Sequence, residues 1–286
     1  MKKSVLITGA NGQLGECIKE LSSKFEELNF IFKSSKELDI TSFNSAKAIF
    51  EKHQFNYCIN CAAYTAVDLA EDEKEKAFAV NAEGVKHLAI LSKDYNTSLI
   101  HISTDFVFDG LKNTPYTETD APNPINVYGA SKLQGEQYIK ELLDTYFIFR
   151  TSWLYSEYGN NFMKTMLRLS KQRQELNVVN DQIGSPTYAK DLAEVILKVI
   201  KEDSTNYGMY HFSNKGETSW FGFAQEIFKQ KKIQINLQPI TSENYKTKAK
   251  RPMFSVLNNS KNVKELGVIQ KSWKKSLSNC LRLSNS

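Results

Sequence analysis

Residues 4–15 read SVLITGANGQLG, and the fold turns on how this stretch is interpreted. Val5, Leu6 and Ile7 make an apolar run that stops at Gly9, the pattern of a buried strand. From Gln13 the periodicity becomes helical, with Leu14, Ile18 and Leu21 on one face. Between strand and helix, Gly9, Gly12 and Gly15 form a G-x-x-G-x-x-G arrangement. Glycine lets the backbone turn tightly and approach a diphosphate, and a helix N-terminus adds unpaired N–H groups. The stretch therefore predicts a dinucleotide site; an ordinary glycine-rich turn between strand and helix is the competing reading.

The same alternation continues outward. Strands are expected at NFIFK (29–33), YCINCAA (57–63), SLIHIST (98–104) and YFIFRTS (146–152), with helices around 43–53, 74–94 and 131–144. This rhythm predicts an α/β fold, a Rossmann-like doubly wound parallel sheet with helices on both faces. After about residue 153 the pattern loosens. A helix near 161–172, a strand at NVV (177–179), the helix DLAEVILKVIK and the segments YHFSN, SWFGFAQEIF and RPMFSVLNN follow. The expected division is a dinucleotide-binding domain of residues 1–152 plus about 177–212. A smaller mixed α/β substrate-binding lobe takes about 153–176 plus 213–286. The substrate is expected between them, where the strand ends open.

Composition narrows the partners. A chain of 286 residues, 41% hydrophobic and 24% charged, can bury a substantial core. Its formal charge of +5 suits a small anionic ligand but is too diffuse to argue for nucleic acid. The apolar run after MKK is far too short for a signal peptide, and no stretch is long enough to span a membrane. Four cysteines without such a signal suggest reduced thiols and a cytoplasmic location. Cys58 and Cys61 read as small buried residues of a strand rather than a metal or redox pair.

The remaining motifs follow the strand ends. The second strand closes with Phe32-Lys33-Ser34-Ser35-Lys36 and has no acid until Glu37. An acid there usually takes the ribose 2′-hydroxyl of NAD. Lysines and hydroxyls could instead tolerate a 2′-phosphate, which favours NADPH with NADH also admissible, although Lys33 or Lys36 could equally be solvated surface. Asp39 and Ile40 of LDIT would sit near an adenine, unless Asp39 caps a helix. Ala62 and Ala63 are small enough for a ligand to lie across a strand end, and Asn81 of VNAEG could cap a helical turn. Ser103, Thr104 and Asp105 end the strand of STDFVFDG and face the crevice of a doubly wound sheet.

Tyr128 and Lys132 gain meaning from this company. With 13 Tyr and 32 Lys, chance supplies on the order of one Y-x-x-x-K match, and the chain has one. Four residues apart on a helix, the two share a face. A lysine cation nearby would lower the tyrosine pKa from its ordinary value near ~10. Thr104 could hold a carbonyl oxygen that Tyr128 protonates while hydride reaches the carbon.

In their order TGANGQLG, LDIT, CAAYTAVD, VNAEG, STDFVFDG, YGASKLQGE, RTSWLY, DQIGSPTYAKDLA, the SW of ETSW and RPMFSVL, these motifs resemble the extended short-chain dehydrogenase/reductases. Within them they look like the dTDP-4-dehydrorhamnose reductase family, from residue 8 to 257. The resemblance implies reduction of the 4-keto group of a deoxysugar nucleotide, dTDP-4-dehydro-L-rhamnose, to dTDP-L-rhamnose. It implies Thr104, Tyr128 and Lys132 as catalytic, with Asp105 beside them. Gly9, Asn11, Gly12, Gln13, Leu14, Asp39, Ile40, Ala62, Ala63 and Tyr64 would hold the cofactor, with Lys132 on the nicotinamide ribose. Trp153 would line the sugar site and Arg251 would meet the nucleotide part of the substrate. A nucleotide-sugar partner is implied, with no nucleic acid and no membrane, and a homodimer is open.

The sequence departs from the family pattern at Phe106, commonly Tyr, and at Cys61 and Leu69. Lys190 ahead of Asp191 argues against the interface Mg²⁺ that some members bind. Rival readings are another sugar-nucleotide reductase, epimerase or dehydratase on this scaffold, and a non-catalytic NADP-binding regulatory subunit. The intact trio argues against the last.

Overall fold

In the computed structural model, which describes residues 2–284, strands and helices alternate through the first half as expected. β1 (Lys3–Thr8) leads to α1 (Gln13–Ser22), β2 (Leu28–Lys33) to α2 (Phe43–Lys52), and β3 (Tyr57–Asn60) to the short helices α3 (Val67–Ala70) and α4 (Lys74–Phe78). A π turn at Ala79–Glu83 joins α4 to α5 (Gly84–Asp94); then come β4 (Ser98–Thr104), α6 (Val127–Leu142) and β5 (Tyr146–Thr151). The second half brings β6 (Leu154–Tyr155), α7 (Phe162–Ser170), β7 (Glu175–Val179), β8 (Ile183–Gly184), β9 (Thr187–Tyr188) and α8 (Ala189–Lys201). It closes with β10 (Gly208–His211), β11 (Thr218–Ser219), α9 (Trp220–Lys231), β12 (Asn236–Ile240), α10 (Ser260–Leu266) and α11 (Trp273–Leu283).

Six strands form one parallel sheet in the order β10-β5-β4-β3-β1-β2. The order reverses between β1 and β3, and there the crevice outside the strand ends opens. Because side chains alternate along a strand, β1 serves both faces. Val5 and Ile7 pack with Leu14 and Ile18 of α1 and Leu192 and Ile196 of α8. Leu6 packs on the other face, with Phe50, Leu88 and Ile139 from α2, α5 and α6. Each such fully buried aliphatic side chain contributes about 1.5–3 kcal/mol, so the sheet is fixed before any ligand arrives.

A second core gathers Tyr155, Met163, Phe223, Trp273 and Leu277, together with Leu176 and Val178 of β7. β7 pairs in parallel with β12, not with the large sheet. The strand at 177–179, expected in the dinucleotide-binding domain, therefore packs with the smaller lobe. We propose that this domain resumes near Ala189, where α8 returns to the sheet. The RPMFSVLNN segment is irregular, but isolated bridges Ile183↔Phe254 and Tyr116↔Leu257 run it between the two groups of elements.

Two helical boundaries differ from expectation. The helix expected at 131–144 starts at Val127, because Asn126 caps it by accepting from the Gly129 N–H at 2.7 Å. Tyr128 thus lies in the first turn. The helix expected at 74–94 is interrupted by the π turn, which buries Asn81 and Ala82.

Candidate active site

The glycine turn is built for close approach. Gly9 has φ +61°, and a Cβ there would sit 2.5 Å from the Ala62 nitrogen, so only glycine lets the β1 exit pass the β3 exit. Gly12 is the N-cap of α1 and provides no side-chain cap. The first N–H groups of a ten-residue helix are therefore left for an external acceptor such as a diphosphate. These features fit a dinucleotide. Gln13 also reaches across to the smaller lobe, accepting from Ser156 Oγ at 3.1 Å and Asn161 Nδ2 at 2.9 Å.

A cleft of about 570 Å³ opens beside this turn. Gly12, Gln13, Leu14, Ala62, Ala63, Thr104, Asp105, Tyr128, Lys132 and Trp153 line it. Other expected cofactor residues are placed differently. Asn11 is exposed, and Ile40 is buried, with its side chain against Gly84. Asp39 accepts from the Thr41 N–H and hydroxyl at 2.9 and 2.7 Å, an Asx-type turn; the α2 cap is Ser42. The Tyr64 hydroxyl donates to Glu73 at 2.9 Å. At the end of β2, Glu37 accepts from the Ser34 hydroxyl and N–H at 2.7 and 2.9 Å, which lowers its carboxyl from the ordinary value.

Burial dominates the protonation of three side chains of the cleft. Tyr128 is half-buried and meets the Phe106 ring edge-on, centroids 5.7 Å apart. Its phenol is pushed up to about 12, chiefly by burial, while the Thr104 hydroxyl pulls it down and Asp105 pushes it further up. The expected lowering by Lys132 is not found. The Lys132 Nζ is instead drawn to the Ile102 carbonyl at 2.6 Å and to His101 Nε2 at 3.2 Å. Burial brings Lys132 down to about 8, with Glu136 and Cys61 opposing. Burial lifts Asp105 to about 6 against the hydroxyls of Ser255 and Thr104; Thr104 donates to Asp105 Oδ1 at 3.1 Å.

Behind this face lies scaffolding that the sequence left unassigned. Glu136, four residues after Lys132, accepts from Ser103 Oγ at 2.5 Å and from Arg150 through both its oxygens. Arg150 also stacks its guanidinium over Phe108, 5.0 Å from the ring centroid. His101 joins Lys132 to Asn60, and Asn60 accepts from Thr8 Oγ1 at 2.6 Å. Asn81 is more than a cap: it bonds the Tyr64 N–H and carbonyl at 2.9 and 3.0 Å and Ser131 Oγ at 3.0 Å, tying the loop after β3 to α6. The i, i+4 spacing of Lys132 and Glu136 was the available signal. Thr151 lines the cleft as well, its buried hydroxyl without a hydrogen-bond partner.

Trp153 lines the cleft from the smaller lobe; Arg251 is not among the lining residues, and the carbonyl of its neighbour Lys250 accepts from Asn126 Nδ2 at 2.8 Å at the start of α6. The Arg251 guanidinium clasps Asp68 at 3.0 and 2.7 Å, and Lys248 pairs with Asp72. The TKAKR segment is thereby strapped to α3 and the turn that follows it. Among the described residues no cluster of three or more metal-ligating side chains occurs, and no helix is long and apolar enough to cross a membrane.

A parallel sheet switching at β1 and β3, with a glycine turn, a strand-end threonine and a helical Tyr128/Lys132 pair around one cleft, defines a Rossmann-type oxidoreductase of short-chain dehydrogenase/reductase architecture. The family profile described as "RmlD substrate binding domain" matches residues 1–285, and the chain belongs to this family. It is 43% identical to a dTDP-4-dehydrorhamnose reductase of Aggregatibacter actinomycetemcomitans, covering 96% of this chain and 97% of the relative. It is 39% identical to the spore coat polysaccharide biosynthesis protein SpsK of Bacillus subtilis, covering 99% and 98%. The crystal structure of a Bacillus anthracis dTDP-4-dehydrorhamnose reductase in complex with NADP superposes with a TM-score of 0.95 at 44% identity, over 99% of this chain and 100% of that one. A Thermus thermophilus UDP-glucose 4-epimerase shares the fold, with a TM-score of 0.85 at 16% identity.

Proposed function

We propose that this protein reduces the 4-keto group of dTDP-4-dehydro-L-rhamnose to dTDP-L-rhamnose, in dTDP-rhamnose biosynthesis for cell-surface polysaccharide. NADPH is the preferred reductant and NADH is also accepted. The observation that carries the reading is the cleft itself: Thr104, Tyr128 and Lys132 line the same space as Gly12 and Gln13 of the glycine turn. The named relatives and the NADP-bound neighbour support the substrate and the cofactor.

When bound, the nicotinamide would supply hydride to the carbonyl carbon. The glycine turn and the N-terminus of α1 would receive the diphosphate, with Ala62 and Ala63 at the strand end beside it. Lys132 would donate to the nicotinamide ribose from its anchored position on Ile102. Thr104 would hold the substrate carbonyl oxygen, and Tyr128 would give that oxygen its phenolic proton. A phenol near 12 stays fully protonated at neutral pH yet is a stronger acid than the alcohol formed when the alkoxide is protonated, so transfer runs downhill. Asp105 and Trp153 would contact the sugar. Arg251, paired with Asp68, would meet the nucleotide part of the substrate. A cytoplasmic location fits the free thiols of Cys17, Cys58, Cys61 and Cys280, and a homodimer fits the family resemblance.

The test is direct. The protein is mixed with NADPH and dTDP-4-dehydrorhamnose, loss of reduced-cofactor absorbance is followed, and the sugar product is identified. Oxidation that does not exceed a Tyr128→Phe control overturns the proposal.

A further inference from the structure

Trp153 is one of four non-glycine residues with positive φ among the described residues, at +47°, and the only one of them that lines the cleft. A bulky residue in the left-handed region is strained, and such strain persists where surrounding contacts over-determine it, commonly at ligand sites. The contacts here come from two sides. The Trp153 indole lies parallel to that of Trp220, with ring centroids 3.6 Å apart and 9° between planes. A Cβ on Gly184 would meet the Trp153 ring at 2.6 Å, so only glycine admits the indole at that place. Trp220 is itself secured, because its Nε1 donates to Gln182 Oε1 at 3.2 Å and Phe162 packs at 4.7 Å between centroids. Gln182 in turn donates to Ser242 Oγ at 2.9 Å, and Ser242 is tied to Asp181. Trp220 is not among the residues that line the cleft; it touches Trp153, which is.

We propose that Trp220 is a positioning residue for substrate: with Gly184 it clamps the Trp153 indole in its strained backbone as a fixed wall at the sugar end of the cleft. The inference rests on the keto-sugar reading above and adds a residue to it. A wall held in place before binding spares the ligand the cost of ordering it, so loss of the clamp weakens sugar-nucleotide binding. The cofactor end, formed by the glycine turn on the other lobe, is untouched.

Two stacked indoles give an exciton couplet in circular dichroism, which reads the clamp in the free protein. Trp220→Ala and Trp220→Phe are compared with wild type and with Trp273→Phe, whose ring lies outside the stack. The couplet is expected to survive in Trp273→Phe and vanish in both Trp220 variants. In Trp220→Ala, KM for the keto-sugar nucleotide and the dissociation constant of dTDP-L-rhamnose are expected to rise about tenfold or more, with kcat falling less than about threefold. Affinity for NADPH, read by its own fluorescence, should stay within about twofold. Trp220→Phe retains a ring against Trp153 and should recover most of the loss. Wild-type KM in Trp220→Ala, or equal weakening of sugar nucleotide and NADPH in both variants, overturns the proposal. A wild-type protein that neither binds dTDP-L-rhamnose nor turns over the keto-sugar overturns the activity reading instead, and this inference with it.

Discussion

Arg150 grips Glu136 with two hydrogen bonds, Nε to Oε1 at 2.8 Å and Nη2 to Oε2 at 2.6 Å, and neither side chain is more than 1% exposed. The pair ties β5 to α6 one turn beyond Lys132, and Ser103 brings in β4 at the same carboxylate. Replacing Arg150 with Met strands a buried carboxylate, a change that costs about 3–5 kcal/mol. Urea denaturation of Arg150→Met should show a loss of that size. The double variant Glu136→Gln/Arg150→Met should recover part of it, since no uncompensated charge remains. Equal stability of single and double variants would contradict this account.

Tyr128→Phe keeps the ring against Phe106 and removes only the proton. Its kcat is expected to fall by about 10²–10⁴, with NADPH affinity unchanged in a fluorescence titration. Retention of more than a tenth of wild-type kcat would remove Tyr128 from the proton-donor role.

The proposed contact of Lys132 with the nicotinamide ribose predicts a pH dependence of cofactor binding. Burial lowers it to about 8, so the ligand-free protein loses this cation as pH rises through that value. If the bound ribose needs the protonated amine, the NADPH dissociation constant should climb above pH 8 by up to about tenfold per pH unit. Lys132→Met should bind more weakly and show no such slope. A flat wild-type profile from pH 7 to 10 would refute the coupling.

Asp105 acts in the opposite sense on stability. Its folded value, about 6, lies above that of an unfolded aspartate, so the folded state favours the protonated form. The stabilisation this gives is fully present below about pH 4 and is lost as pH rises through about 6. Asp105→Asn should therefore raise stability at pH 7 by on the order of 2 kcal/mol while lowering turnover. Thermal melts from pH 4 to 7 should show a slope in wild type that the variant loses; parallel slopes would count against the burial of this charge.

The sheet was legible because its signals are local. β1, β2, β4 and β5 announce themselves as apolar runs, and the strand-end rule alone aims Thr104 and Asp105 at the crevice. Contacts between distant segments leave no such trace. β12 is short and largely exposed, so its pairing with β7, some sixty residues away, has no periodicity to read. Glu136 and Arg150 resemble any two charges in a chain that is 24% charged until the fold buries them together. The lowering expected at Tyr128 failed for a related reason: spacing puts two residues on one face but does not say where a lysine end turns. Asp68 ends the CAAYTAVD motif, but nothing local shows that its carboxylate pairs with Arg251, 183 residues away.

The π turn at Ala79–Glu83 has a consequence for how loop and helix can vary. Each residue of an α-helix turns it by about 100°, so the extra residue in this turn re-clocks α5 against α4. Ala77 on one side and Val85 and Leu88 on the other all stay buried, while Asn81 falls in the gap with its amide on Tyr64 and Ser131. Deleting one residue here would yield a smoother helix and a worse enzyme. The amide would swing away from the loop that carries Ala62 and Ala63, and the segment from α4 to α5 can shed its irregularity only by letting go of that wall of the cleft.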